Sequence, residues 1–148
     1  MEFNQFYKAC RDHNMYLIRK LLPLTTKRDI TDYGLGGACE GGHVDLINMM
    51  IDIGVNHFDN GLYGACRGGH IELADLMISK GANNWDLGLF GACWGDSIQL
   101  VDLMISKGAT NWDTGLSGAC RGGNIKLVNL MISKGATDFN GGLYYACW

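Results

Sequence analysis

A 27-residue period runs through most of this chain and leaves little choice of architecture. The cysteines Cys10, Cys39, Cys66, Cys93, Cys120 and Cys147 are separated by 29, 27, 27, 27 and 27 residues. Gly34, Gly61, Gly88, Gly115 and Gly142 keep the same step, as do Leu35, Leu62, Leu89, Leu116 and Leu143. Self-similarity at this spacing marks one supersecondary unit used repeatedly, each copy burying its apolar face against the next.

Within residues 61–87 the pattern is helical. Leu62, Ala65 and Cys66 fall at i, i+3 and i+4, on one side of a short first helix. The pair Gly68 and Gly69 then ends it, since glycine accepts a left-handed C-cap. Ile71, Leu73, Ala74, Leu76, Met77 and Ile78 form the wide apolar face of a second helix. Gly81 is its C-cap, with Lys80 suited to the helix's negative end. Residues 83–87 return the chain to the next unit, and Asp86 is read there as a cap or turn former. No alternating strand pattern persists. The expectation is an all-α helix-turn-helix solenoid forming a single domain over 1–148. It comprises an N-terminal capping repeat (1–33), full repeats at 34–60, 61–87, 88–114 and 115–141, and a truncated last repeat (142–148).

Residues 62–82, LYGACRGGHIELADLMISKGA, resemble the two-helix body of an ankyrin repeat. Leu62, Ala65, Gly69, His70, the 73–78 run, Gly81 and Ala82 carry the resemblance, which covers residues 34–141 and, more loosely, 6–33. Two departures stand out. Asn60, Gly61, Leu62 and Tyr63 replace the usual Thr-Pro-Leu-His opening, and the linker is about six residues shorter than a 33-residue period allows. The missing part corresponds to the protruding β-hairpin finger. Short repeats with a Gly-Ala-Cys core are similar to those of ankyrin-type proteins abundant in large DNA viruses. The resemblance implies an intracellular scaffold that binds a folded protein partner, a host protein if the source is viral. Without fingers, the expected contacts move to the first helices.

Enzymatic chemistry finds little support. Equivalent positions on neighbouring packed helices lie roughly 8–10 Å apart, whereas a disulfide needs Cα atoms within about 7 Å. No C-x-x-C pair offers a zinc site. The cysteines therefore read as small buried packing residues. The Gly-Gly pairs lack the preceding strand and Gly-Lys-Ser/Thr ending of a phosphate loop. His43 and His70, just after these turns, are expected to cap the second helices or bond to backbone. His13 and His57 join no constellation, and no nucleophile-base set converges on one unit. No catalytic residue, metal or cofactor is assigned, and the protein is read as a non-enzyme.

Positions that vary among otherwise repeated units carry more information. One series follows each cysteine: Arg11, Glu40, Arg67, Trp94, Arg121 and Trp148. A second lies one helical turn earlier: Tyr7, Gly36, Tyr63, Phe90, Ser117 and Tyr144. Both should lie along the first helices, on the inner face of the curve. Tyr63 with Arg67 and Phe90 with Trp94 are i, i+4 pairs. With Arg121 they form an aromatic and arginine patch, in residue types enriched at binding hot spots. This is the expected partner-binding surface. In the family that the repeats resemble, the second series is largely structural. A third ladder, Phe58, Trp85, Trp112 and Phe139, is either a ligand stripe or, more simply, packing beneath the return loops.

The sequence stops partway through a unit, and Tyr144, Tyr145 and Trp148 supply no polar cap. A homodimer through this end, or self-assembly, is the expected alternative use of the chain. The net charge of −3 argues against nucleic acid as a partner. Residues 1–33 are nevertheless basic, with six Lys/Arg against four Asp/Glu. No apolar run reaches the roughly 20 residues of a membrane span, and no signal-peptide layout opens the chain. These features give the expectation of a cytoplasmic protein without membrane partners.

Overall fold

The computed structural model describes residues 2–24 and 33–141, and these are all-helical, with no strand among them. Helices come in pairs: α1 (Glu2–Arg11) and α2 (Met15–Leu21), α3 (Leu35–Gly41) and α4 (Val44–Asp52), α5 (Phe58–Gly68) and α6 (Ile71–Ser79), α7 (Trp85–Trp94) and α8 (Ile98–Lys107), α9 (Trp112–Gly122) and α10 (Ile125–Lys134). A short 3₁₀ turn, Leu22–Leu24, follows α2. Residues 139–141 open a further helix. From the second full unit on, first helices begin three residues before the unit boundary read from the period: α5 starts at Phe58 rather than Gly61, α7 at Trp85 rather than Gly88, α9 at Trp112 rather than Gly115. Tyr144, Tyr145 and Trp148 lie outside the described residues, as does all of 142–148.

Two layers result. Each odd-numbered helix packs on the next odd-numbered one, α1 on α3 through to α7 on α9, and each even-numbered helix packs on its own partner. The core repeats with the sequence. Leu35, Leu62, Leu89 and Leu116 from the first helices are buried together with Leu46, Leu73, Leu100 and Leu127 from the second, and with Met50, Met77, Met104 and Met131.

Glycine sets the spacing of the first layer. A Cβ on Gly64 would lie 2.0 Å from the carbonyl oxygen of Gly36, one on Gly91 2.6 Å from that of Tyr63, and one on Gly118 2.4 Å from that of Phe90. One turn on, Gly41, Gly68, Gly95 and Gly122 would strike the carbonyls of Arg11, Glu40, Arg67 and Trp94 at 2.2, 2.3, 2.2 and 2.6 Å. First helices thus meet backbone to backbone. Second helices carry Leu, Ile, Val and Met at their faces and make much sparser contact with one another. Tight spacing in one layer and wide spacing in the other make each pair a wedge, with the first helices on the narrow side.

The two adjacent glycines therefore have different jobs. Gly68 is needed for close approach, and Gly69 for its φ of +75°. In the third full unit the second job falls to Asp96, with φ +59°, while Gly95 keeps the first. Aspartate is among the few non-glycine residues that enter this region readily. Exposed Lys8 on α1 and Asp12 just beyond it stand where α3 has Gly37 and Gly41. No described helix packs on that side of α1.

A second device ties successive units together. The Asp59 carboxylate accepts the backbone N–H groups of Asn83 and Asn84 at 2.8 and 2.9 Å. Asp86 does the same for Thr110 and Asn111, and Asp113 for Thr137 and Asp138. This differs from the local role expected of Asp86. The N-cap of α7 is Asn84, which accepts from Leu87 N–H at 3.1 Å, while Asp86 reaches forward to the following return loop. His43 and His70 make no side-chain caps; their Nε2 atoms bond to the carbonyls of Arg11 and Glu40 in the preceding unit, at 2.7 and 3.1 Å. The ladder Phe58, Trp85 and Trp112 occupies the first position of α5, α7 and α9, half-buried. A Cβ on Gly108 would sit 3.8 Å from Trp85 Cδ1, and one on Gly135 equally far from Trp112 Cδ1, so each indole packs under the next return loop.

Candidate functional site: the first-helix face

The two variable series emerge side by side along the narrow face, and close helix spacing brings successive members into contact. Tyr63 on α5 stacks on Phe90 on α7, with ring centroids 6.0 Å apart and planes 16° from parallel. Phe90 meets Trp94, one turn along α7, edge-on at 5.7 Å, and Tyr63 lies 6.5 Å from the same indole. Such separations and tilts are favourable for aromatic pairs.

Trp94 is the centre of the arrangement. The Arg67 guanidinium, from the unit before, lies 3.5 Å from its ring centroid. The Arg121 guanidinium, from the unit after, lies 3.8 Å from it. An indole is the best aromatic partner for such a cation, and stacking leaves the edge donors of each guanidinium able to form hydrogen bonds. The expected patch of Tyr63, Arg67, Phe90, Trp94 and Arg121 is thus one connected cluster spanning three units.

The cluster continues toward the N-terminus through residues that pattern reading did not put in it. Arg67 Nη1 pairs with Glu40 Oε2 at 3.1 Å, and both side chains are largely buried, at 21% and 13% exposure. The Tyr7 hydroxyl donates to the same carboxylate oxygen. Burial, and then the hydrogen bond to Glu40 and its charge, hold the Tyr7 phenol well above its ordinary range, so it remains a donor at any ordinary pH. Burial likewise raises Tyr63, partly offset by Arg67. Gly36 explains the route: a Cβ there would sit 3.3 Å from the Tyr7 ring, which crosses the place of the missing side chain to reach Glu40. The glycine in the second series and the lone acid in the first were the available signals. Their meaning depended on knowing that adjacent units touch at these positions.

Elsewhere the chemistry is sparse. Cys10, Cys39, Cys66 and Cys93 are buried free thiols, and burial pushes each up to about 12. Half-buried Cys120 is also raised. His13 stacks on His43 at 4.5 Å and contacts Asp45 at 3.2 Å. Among the described residues no group of three or more His, Cys, Asp or Glu is placed to hold a metal ion, and no helix is long and apolar enough to cross a membrane. No protein-family model matches the chain, and no curated protein matches it.

Proposed function

We propose that the chain is an ankyrin-like solenoid that has lost its fingers and serves as a scaffold for a folded protein partner, held on the first-helix face. The observation that carries this reading is Trp94, half-buried between two guanidiniums, at a position where the other described units carry Arg11, Glu40, Arg67 and Arg121. A solvated position has no physical need of tryptophan. Here it anchors a rigid row of Tyr63, Arg67, Phe90 and Arg121, and such pre-ordering lowers the entropy lost when a partner docks. Aromatic and arginine side chains dominate the binding energy of protein interfaces. Glu40 and Tyr7 support the row by fixing Arg67 from behind.

The experiment is recovery of partners from the native cell with the wild-type chain and with Trp94→Ala combined with Arg67→Ala. The proposal expects at least one specific partner to be lost with the double variant while its helicity stays intact. Unchanged recovery of every partner would remove this surface from consideration. Capture from a host cell also addresses the source suggested by the resemblance.

A further inference from the structure

Successive units are tied to each other at the turn between their two helices, and one junction lacks the tie. His43 Nε2 donates to the Arg11 carbonyl at 2.7 Å, and His70 Nε2 to the Glu40 carbonyl at 3.1 Å. Between α7 and α9 the tie joins side chains: Asn124 donates to Asp96, which stands in the place of Gly69. Between α5 and α7 the same position is Ser97, which makes no side-chain cap and is too short to follow an imidazole to the Arg67 carbonyl. Room for a ring is nevertheless kept there. A Cβ on Gly68 would lie 2.7 Å from the His70 ring and one on Gly42 2.9 Å from it, so that imidazole sits between two glycines. The matching pair one unit on is Gly95 and Gly69. A Cβ on Gly95 would meet the Arg67 backbone, and one on Gly69 would meet open space. Ser97 has φ −101° and ψ 95°, against −93° and 92° for His70, so the backbone of the turn is nearly unchanged.

From this arrangement we infer that the α5–α7 junction is a hinge in the array, pivoting at Asp59 and latched near its turn end by the contact of Arg67 with Trp94. At the return-loop end Asp59 holds Asn83 and Asn84 across the junction. Farther along, Tyr63 stacks on Phe90, and Arg67 lies over Trp94, the last residue of α7. Arg67 belongs to the N-terminal block, bonded there to Glu40 and Tyr63. Trp94 belongs to the C-terminal block, with Arg121 on its ring. The other junctions combine a contact on this row with a tie at the turn: Tyr7–Glu40 with His43, Glu40–Arg67 with His70, and Trp94–Arg121 with Asn124. The α5–α7 junction has row contacts alone, so nothing resists separation on its turn side once the latch lets go. A stack of units in contact with their neighbours opens interface by interface, in cooperative blocks. Tyr63 and Arg67 stand on one side of the hinge and Phe90 and Trp94 on the other, so its opening changes the shape of the whole face, whatever that face receives.

The test is native-state hydrogen exchange of the full-length protein at low urea, read by peptide mass, which follows openings too rare to separate the bulk unfolding curves. Helices α7 to α10 should exchange through one shared opening while α3 to α6 stay protected. Trp94→Ala removes the latch and should raise the population of that opening about tenfold. Ser97→His supplies the missing tie and should lower it about fivefold, the effect of one added hydrogen bond. Ser97→Ala should leave it unchanged, since the serine side chain makes no cap. A boundary between α3 and α5 or between α7 and α9 would overturn the hinge, as would exchange of every helix through global unfolding alone. Equal exchange in Ser97→His and Ser97→Ala would overturn the assignment of the hinge to the missing tie.

Discussion

Replacing Gly64 with alanine probes the stack at its tightest point. The added Cβ would lie 2.0 Å from Gly36 O, 2.8 Å from Gly36 C and 3.1 Å from Gly36 Cα, all backbone of the neighbouring first helix. Carbon–oxygen contacts between packed backbones settle at about 3.3–3.6 Å, so α5 must move away from α3 by more than about 1 Å. No rotamer change relieves a backbone contact. Overpacking typically destabilises by about 1–3 kcal/mol, and the upper end applies here. Alanine's better helix propensity returns about 1 kcal/mol. The net expectation is a loss of about 2 kcal/mol, or a fall in Tm of roughly 4–8 °C for a chain of this size. In a stacked array the loss falls on one interface and should split the array there. All four tryptophans, Trp85, Trp94, Trp112 and Trp148, follow α5 in the chain. Urea unfolding followed by both circular dichroism and tryptophan fluorescence should give coincident transitions for the wild type. For Gly64→Ala the two probes should separate. A Gly64→Ala protein with unchanged midpoint and coincident probes would refute the claim that glycine sets the spacing of the first layer. Gly69→Ala is the contrast: its Cβ meets open space, and only the positive φ resists, at a cost of about 1 kcal/mol.

Three further outcomes follow from the contacts. Trp94→Ala removes two guanidinium contacts and two aromatic ones and should destabilise the fold by about 2 kcal/mol. Arg67→Ala should have a smaller effect in the Trp94→Ala background than in the wild type, since the two side chains interact; additive losses in a double-mutant cycle would contradict that coupling. The Asp113 carboxyl is held below its ordinary range, chiefly by the backbone N–H of Asp138 and then by that of Thr137. Its contribution is therefore present above the unfolded value and lost as pH falls through the depressed folded one. Denaturation midpoints of wild type and Asp113→Asn should differ at neutral pH and draw together as pH falls below the ordinary carboxylate range, and a gap that widens on acidification would have the wrong sign. Finally, thiol labelling at pH 8 under native conditions, read by peptide mass, should reach Cys120 before Cys10, Cys39, Cys66 or Cys93, which stay protonated and covered.

Much of the fold was legible because each unit repeats the same local instruction. Leu62, Ala65 and Cys66 at helical spacing, with Gly69 in a left-handed turn, specify a short helix and its end from a few residues of sequence. The contacts that set spacing were harder to read, because their partners lie a whole unit away. Gly61, Gly64 and Gly68 form a stripe along one side of α5, but Gly68 beside Gly69 looks like part of a turn. Asp86 resembled a cap for its own helix; the donors it accepts from, the N–H groups of Thr110 and Asn111, are backbone and leave no mark in the side-chain pattern. The same limit applied to the candidate surface. Tyr63, Arg67, Phe90, Trp94 and Arg121 stood out by composition, whereas Glu40 and Tyr7 gained meaning only when the Tyr7 ring was seen crossing Gly36.

The most direct measurement of the central claim is site-specific photo-crosslinking in the native cell. A benzophenone side chain at Ser117, on the row beside Phe90, should capture the partner. The same group at exposed Asp75, on a second helix, should not. Capture from Asp75 with none from Ser117 would place the partner on the opposite layer and contradict the account.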